Sequence, residues 1–183
     1  MKVEILNERG YLEAALGFSL SYSSTIERAA QLFPIYAHKQ GGENKFLESI
    51  MIWMDITAPR FWWQEADTYR IGSTKQSEST IHTLKNVKAT REDFEYDPGT
   101  TVLNHINFAI TMYRRGDISL SQLKNILPEG FLQRRIWCIN YKTLQNIYNQ
   151  RKDHKLSQWH YFIDEVLKQI KHPEFIREED KKL

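Results

Sequence analysis

Apolar positions recur along this chain with two different periods, and those periods place its elements. Ile50, Ile52, Met54 and Ile56 fall on every second position between Ser49 and Thr57, which predicts a strand with one buried face. Lys2 to Leu6 partly alternate and predict a short strand at the start. Helical spacing takes over at Leu103, Ile106, Ile110 and Tyr113, so a helix is expected over 101–114, with Gly116 as its stop. Trp159, Phe162, Ile163, Val166 and Ile170 form the stripe of a last helix, with Ser157 as its expected cap and Pro173 beyond it.

Local signals fill in the rest. Ser24 with Glu27 three positions later is a capping-box pattern and predicts a helix from about 25 to the high 30s, broken at Gly41-Gly42. Pro59 suits the first turn of a short helix over 59–68, because its missing N–H would be unpaired there anyway. Residues 69–81, with Gly72 and many hydroxyls, read as a polar loop or edge strand. The charged stretch 84–100 closes on the turn residues Tyr96-Asp97-Pro98-Gly99. A short helix is expected from Leu120 to Leu127, ended by Pro128, then a strand over 132–139. Asn140 is placed to cap a helix that runs through about Arg151. Strands and helices alternate without segregating, so the fold class is α+β (mixed α/β), with an antiparallel-rich sheet and flanking helices. No linker divides the chain, and residues 1–183 are expected to form a single domain.

Composition narrows the function classes without choosing one. Hydrophobic residues make up 41% and charged residues 26% of the 183, as in ordinary globular proteins. A formal net charge of +2 gives no electrostatic case for a nucleic-acid coat or a membrane-surface protein. The basic positions Lys85, Lys88 and Arg91 are followed at once by Glu92, Asp93 and Glu95. A lone Cys138 excludes an internal disulfide and a zinc ribbon. His154 and His160 are poorly spaced for one metal, so no metal site is expected. Ser73 and His82 lie outside any nucleophile-elbow context, which argues against hydrolysis. No apolar run approaches the roughly 20 residues of a membrane span, and the start lacks a signal-peptide core, so a cytoplasmic location is expected. Residues 177–182 read as a frayed tail. The five tryptophans fit core packing, or a wall for a planar ligand or an interface.

One polar residue breaks a helical stripe. Leu144, Ile147 and Arg151 are spaced by three and four, so the arginine continues the apolar face, where its guanidinium requires an acceptor. Two readings stay open: a structural partner within the fold, or an arginine aimed at a planar, acceptor-bearing ligand.

Lys124, Leu127-Pro128, Trp137, Asn140, Leu144, Asn146, Arg151 and Gln158-Trp159 together resemble the C-terminal half of flavin-dependent thymidylate synthases. The loop from Arg151 to Gln158 is one residue longer than in that family, and the family's glutamate two positions later is His160. Upstream, Ala58-Pro59 leads without a gap into Thr68 to Thr80, which is similar to the signature R-H-R-x-x-S-x-N-E-x-S-x-R. Arg70 and Ser73 keep signature positions; Thr68, Tyr69, Lys75, Gln76, Glu78 and Thr80 replace the first Arg, the His, the Asn-Glu pair, and the last Ser and Arg.

The resemblance implies FAD as cofactor, with Tyr69, Arg70, Asn140 and Asn146 holding the flavin. It implies Arg151 as the catalytic, base-polarising residue, and Gln76, Ser77 and Lys124 beside it as nucleotide ligands. The reaction would be reductive methylation of a deoxyuridine nucleotide (dUMP to dTMP), with methylenetetrahydrofolate and NADPH as co-substrates, in a homotetramer. Glu78 and Thr80 disturb the phosphate end, since a repulsive charge beside a dianion would cost several kcal/mol in a desolvated site. Three readings follow. A one-residue slip turns Ser77 and Ser79 inward, the pyrimidine acceptor is a different one, or the fold persists as a catalytically inactive nucleotide-binding or interaction module.

Overall fold

The structure is a computed structural model, described here over residues 1–39, 42–79 and 88–178. Four strands, β1 (Lys2–Arg9), β2 (Met51–Pro59), β3 (Ser73–Ser77) and β4 (Leu132–Asn140), form one antiparallel sheet in the order β1-β2-β4-β3. Among the described residues seven α-helices accompany it. They are α1 (Tyr11–Tyr22), α2 (Ile26–Tyr36), α3 (Arg60–Ala66), α4 (Thr100–Arg115), α5 (Leu120–Ile126), α6 (Tyr141–Arg151) and α7 (Ser157–Gln169). The class is the mixed α/β one expected.

The period-two segment becomes β2, and Ile50, Ile52, Met54 and Ile56 are all fully buried. Residues 69–81 yield an edge strand, β3, as one of the two readings had it. Asn140 caps α6 through its side chain, accepting from the Thr143 amide at 2.8 Å. Gly116 closes α4 at φ 83°, a left-handed conformation natural to glycine. The stripe of α7 is buried throughout.

Three boundary assignments change. Thr25, not Ser24, caps α2, accepting from the Arg28 amide, while the Ser24 hydroxyl is buried with no hydrogen-bond partner among the described residues. Pro59 ends β2 with an extended ψ of 151°, so α3 starts one residue later than expected. Ser157 is the first residue of α7 and Leu156 is its cap, without a side-chain bond. Helix α1 was not foreseen: it is apolar almost all round, so no stripe marks it in the sequence. Gly41, Thr80, His82, Lys85, residues 84–87 of the charged stretch and 179–182 of the tail lie outside the described residues.

Contacts divide the chain into two compact units. One comprises 1–2, 56–68 and 76–135, and its core joins α4 and α5 through Phe94, Ile106, Ile110, Leu123 and Phe131. The other comprises 3–55, 69–75 and 136–183. Its centre holds Trp137, stacked at 5.7 Å on Phe162, with Trp159 edge-on to the same ring at 5.8 Å. Phe18, Phe33, Phe46 and Phe175 form a second aromatic group in that unit. Core packing is thus the main work of the tryptophans: Trp62, Trp63, Trp137 and Trp159 are fully buried. No described helix is long and apolar enough to cross a membrane.

Candidate functional site

The second unit gathers most of the polar chemistry around the C-terminal end of α6. Arg151 is half-buried there, as its place on the apolar stripe required. Its Nε–H donates to the Tyr69 hydroxyl at 2.8 Å. The guanidinium lies 4.8 Å from the Trp159 ring centre and 5.6 Å from that of Tyr69, within cation–π range of both. Tyr69 is buried, and its ring meets Trp159 edge-on at 6.0 Å.

From Tyr69 the bonding runs on toward the middle of α6. The hydroxyl donates to Gln150 Oε1 at 2.9 Å, and Gln150 Nε2 donates to Asn146 Oδ1 at 3.1 Å. The string runs in one direction. Arginine can only donate, so the tyrosine oxygen accepts from it, and its own proton goes onward. The glutamine carbonyl takes that proton, and its NH₂ faces Asn146. Asn146 therefore turns its carbonyl inward along the helix and keeps its NH₂ for the other side.

Asn146 is exposed on the rim of a cavity of about 540 Å³. Lys45, Glu48, Lys142 and Asn149 share that lining. Deeper groups there are committed to the fold. Gln145 Nε2 bridges the carbonyls of Ala37 and Phe175, and Lys142 Nζ donates to Asn44 Oδ1. The volume falls inside the range of small-molecule sites, about 300–1,000 Å³. Amide donors at its rim suit a ligand edge that carries carbonyls or ring nitrogens.

Strand β3 runs past the same unit. Ser73 Oγ accepts from Trp137 Nε1 at 2.7 Å. Lys75 Nζ donates to the Tyr69 carbonyl at 3.2 Å and lies 4.6 Å over the Trp137 ring. Ser73 and Lys75 therefore share the inner face. Gly72 precedes them at φ 60°, where a Cβ would stand 2.8 Å from Asn140 Cγ and 2.9 Å from Thr143 Oγ1. The Asn140 amide donates to the Gly72 carbonyl at 3.0 Å, so the turn and the α6 cap are built against each other.

No protein-family model matches the sequence, and no curated protein sequence matches it. Its three-dimensional course does find matches among solved structures. Two crystal structures of thymidylate synthase ThyX from Helicobacter pylori, each with FAD and dUMP, superpose with a TM-score of 0.80. Each match covers 97% of this chain and 98% of the other, at 16% sequence identity. The fold is that of a flavin-dependent thymidylate synthase.

On this thymidylate synthase fold the residues singled out in the sequence separate into two sets. Tyr69, Asn140, Asn146 and Arg151 all lie in the second unit, and Tyr69, Asn146 and Arg151 are joined by the hydrogen-bond string. Asn140 is buried and caps α6; Arg70, next to Tyr69, is exposed. Gln76, Ser77 and Lys124 lie in the other unit and are exposed. Ser77 has the parity of Ser73 and Lys75, yet it is exposed, as are Gln76, Glu78 and Ser79. The Glu78 carboxylate accepts from the Arg134 amide of β4 at 3.4 Å and is exposed. Gln150 was not foreseen. It stands one position before the conspicuous arginine, and nothing in a polar helix end distinguishes it from a solvated glutamine.

Among the described residues, no three His, Cys, Asp or Glu side chains come together as metal ligands. His160 is exposed, and His154 Nδ1 accepts from the Leu156 amide.

Proposed function

We propose that this chain is a cytoplasmic flavin-dependent enzyme of the thymidylate synthase type, reductively methylating a deoxyuridine nucleotide. The observation that carries the reading is the fold match over nearly the whole of both chains, together with Arg151 held half-buried on two aromatic rings. FAD is the proposed cofactor, with methylenetetrahydrofolate and NADPH as co-substrates. The rim at Asn146 fits a flavin; Tyr69, Arg70 and Asn140 complete the set that the resemblance assigns to it. A bound reduced flavin supplies the hydride.

The chain's own part is positioning and electrostatics. Arg151 faces the pyrimidine with a fixed positive charge and draws electron density toward the base carbonyl. Gln76, Ser77 and Lys124 serve the nucleotide by the same resemblance, Lys124 as a point charge for phosphate. In a homotetramer whose active sites are each assembled from several subunits, those three need not serve the site of their own Arg151.

One observation favours a changed acceptor. Glu78 stands where the signature has a serine, and its carboxylate rests on the backbone of β4. Titration separates the readings. The purified protein is expected to take up FAD and then bind dUMP, and Arg151→Ala should lose the nucleotide while retaining flavin. Equal, weak binding of dUMP and deoxyuridine would show that the phosphate grip is lost. Failure to load FAD would leave only a binding module on this fold.

A further inference from the structure

The string Arg151–Tyr69–Gln150–Asn146 has a consequence for the reaction, and it rests on the functional reading above. We propose that Tyr69 and Gln150 are positioning residues: they fix the guanidinium of Arg151 for the nucleotide and tie its orientation to the cavity at Asn146.

An arginine at a helix terminus has long, freely turning torsions, and aligning it costs side-chain entropy each time a ligand binds. Here that alignment is made in advance. The Tyr69 hydroxyl accepts from Nε at 2.8 Å, and the rings of Trp159 and Tyr69 restrict the guanidinium plane. The tyrosine hydroxyl is itself held, because its proton is given to Gln150 Oε1 at 2.9 Å. Gln150 is oriented in turn by the bond from its Nε2 to Asn146 at 3.1 Å. Each group has one consistent donor direction, so the string has a single polarity. Reversing either amide alone would oppose two donors or two acceptors.

Tyr69 also occupies the position where the family signature carries histidine. A neutral imidazole here would need the correct tautomer to accept from Nε, and once protonated it could not accept at all. The tyrosine hydroxyl accepts and donates without that dependence. The exchange therefore turns a flavin-side residue into a partner of the base-binding arginine. A ligand that bonds the Asn146 NH₂ would steady the far end of the same string. Flavin at that rim is accordingly expected to tighten nucleotide binding, and nucleotide to tighten flavin by the same factor.

Three variants test the inference on the full-length protein: Tyr69→Phe, which keeps the ring, Gln150→Met, which is at an exposed position, and Arg151→Ala, which identifies the signal. Nitrogen-edited NMR of the arginine Nε–H groups is read without any ligand. The Arg151 signal should exchange slowly with water in the parent protein and faster in Tyr69→Phe. Titration of the FAD-loaded protein with dUMP should then show about tenfold weaker binding in Tyr69→Phe, the expected loss for one hydrogen bond to a charged group. In Gln150→Met, dUMP binding should weaken by a smaller factor, and the mutual tightening of FAD and dUMP should be lost.

An Arg151 signal that exchanges as fast as an exposed arginine overturns the string. Equal dUMP affinity in Tyr69→Phe and the parent overturns the positioning role. If the protected signal is present but no variant, nor the parent, binds dUMP, the functional reading is what fails, and the positioning role falls with it.

Discussion

Glu8 is a carboxylate buried between tyrosines, and it shows how one residue can make the fold sensitive to pH. It accepts from the hydroxyls of Tyr11 and Tyr141 and from the Lys171 amide at 3.1 Å. The two hydroxyls are themselves 2.6 Å apart. Burial, then the bond to Glu8, pushes the Tyr141 hydroxyl far above its ordinary pKa of 10.0, and Tyr11 moves the same way for the same leading causes. Both phenols are therefore held neutral in the folded protein, while those of the unfolded chain ionise near pH 10. A raised folded-state pKa means that the stabilisation is complete below that pH and is lost as the pH rises beyond it. Urea unfolding midpoints are accordingly expected to fall between pH 9 and pH 11. Tyr141→Phe should flatten that fall, since it removes one of the two shifted groups. A midpoint equally steep in both proteins would place the alkaline sensitivity elsewhere.

Between β4 and α6 the element boundary rests on two residues that depend on each other. Asn140 accepts from the Thr143 amide, and Gly72 supplies the close, left-handed turn that lets β3 begin beside it. Loss of an N-cap costs about 1 kcal/mol. In a chain of this length Asn140→Ala should thus lower the apo-protein melting temperature by about 2–4 °C. Gly72→Ala should lower it more, since the added methyl meets both backbone strain and the Asn140 side chain. A calorimetric scan in which the glycine variant melts higher than the cap variant would contradict this order. The cap was legible in the sequence because a short polar residue stood at the switch from strand period to helix period. The buried face of β2 and the stripe of α7 were legible for the same reason: periodicity records which side meets the core. Helix α1 was not, because apolar residues on every side leave no period to read. Tyr69 and Gln150 mark a second limit. Their roles depend on which side chains the turn at Gly72 brings against the end of α6, and sequence spacing carries no record of that meeting.

Among the described residues of the whole molecule, one apolar surface is left without cover. On α1, Leu12, Leu16 and Leu20 are 64%, 48% and 75% exposed, although the inner face of the helix already buries Ala14, Ala15 and Phe18. A helix apolar all round is one that is buried on both sides. The covering surface is expected to be a second copy of this chain. Leucines at every fourth position form a self-complementary ridge, and α1 has no lysine or arginine to attract a lipid headgroup. The proposed homotetramer supplies such a copy, at four times the monomer mass of 21.8 kDa. Leu16→Glu sets a charge in the middle of the ridge while leaving the inner face intact, so it should shift light-scattering mass toward smaller species without lowering helical content. If the proposed active sites are each built from several subunits, the same variant should lose dUMP binding in parallel with mass. If mass falls while dUMP affinity holds, each site is complete within one chain. If mass does not change, the exposed leucines lie outside the contact.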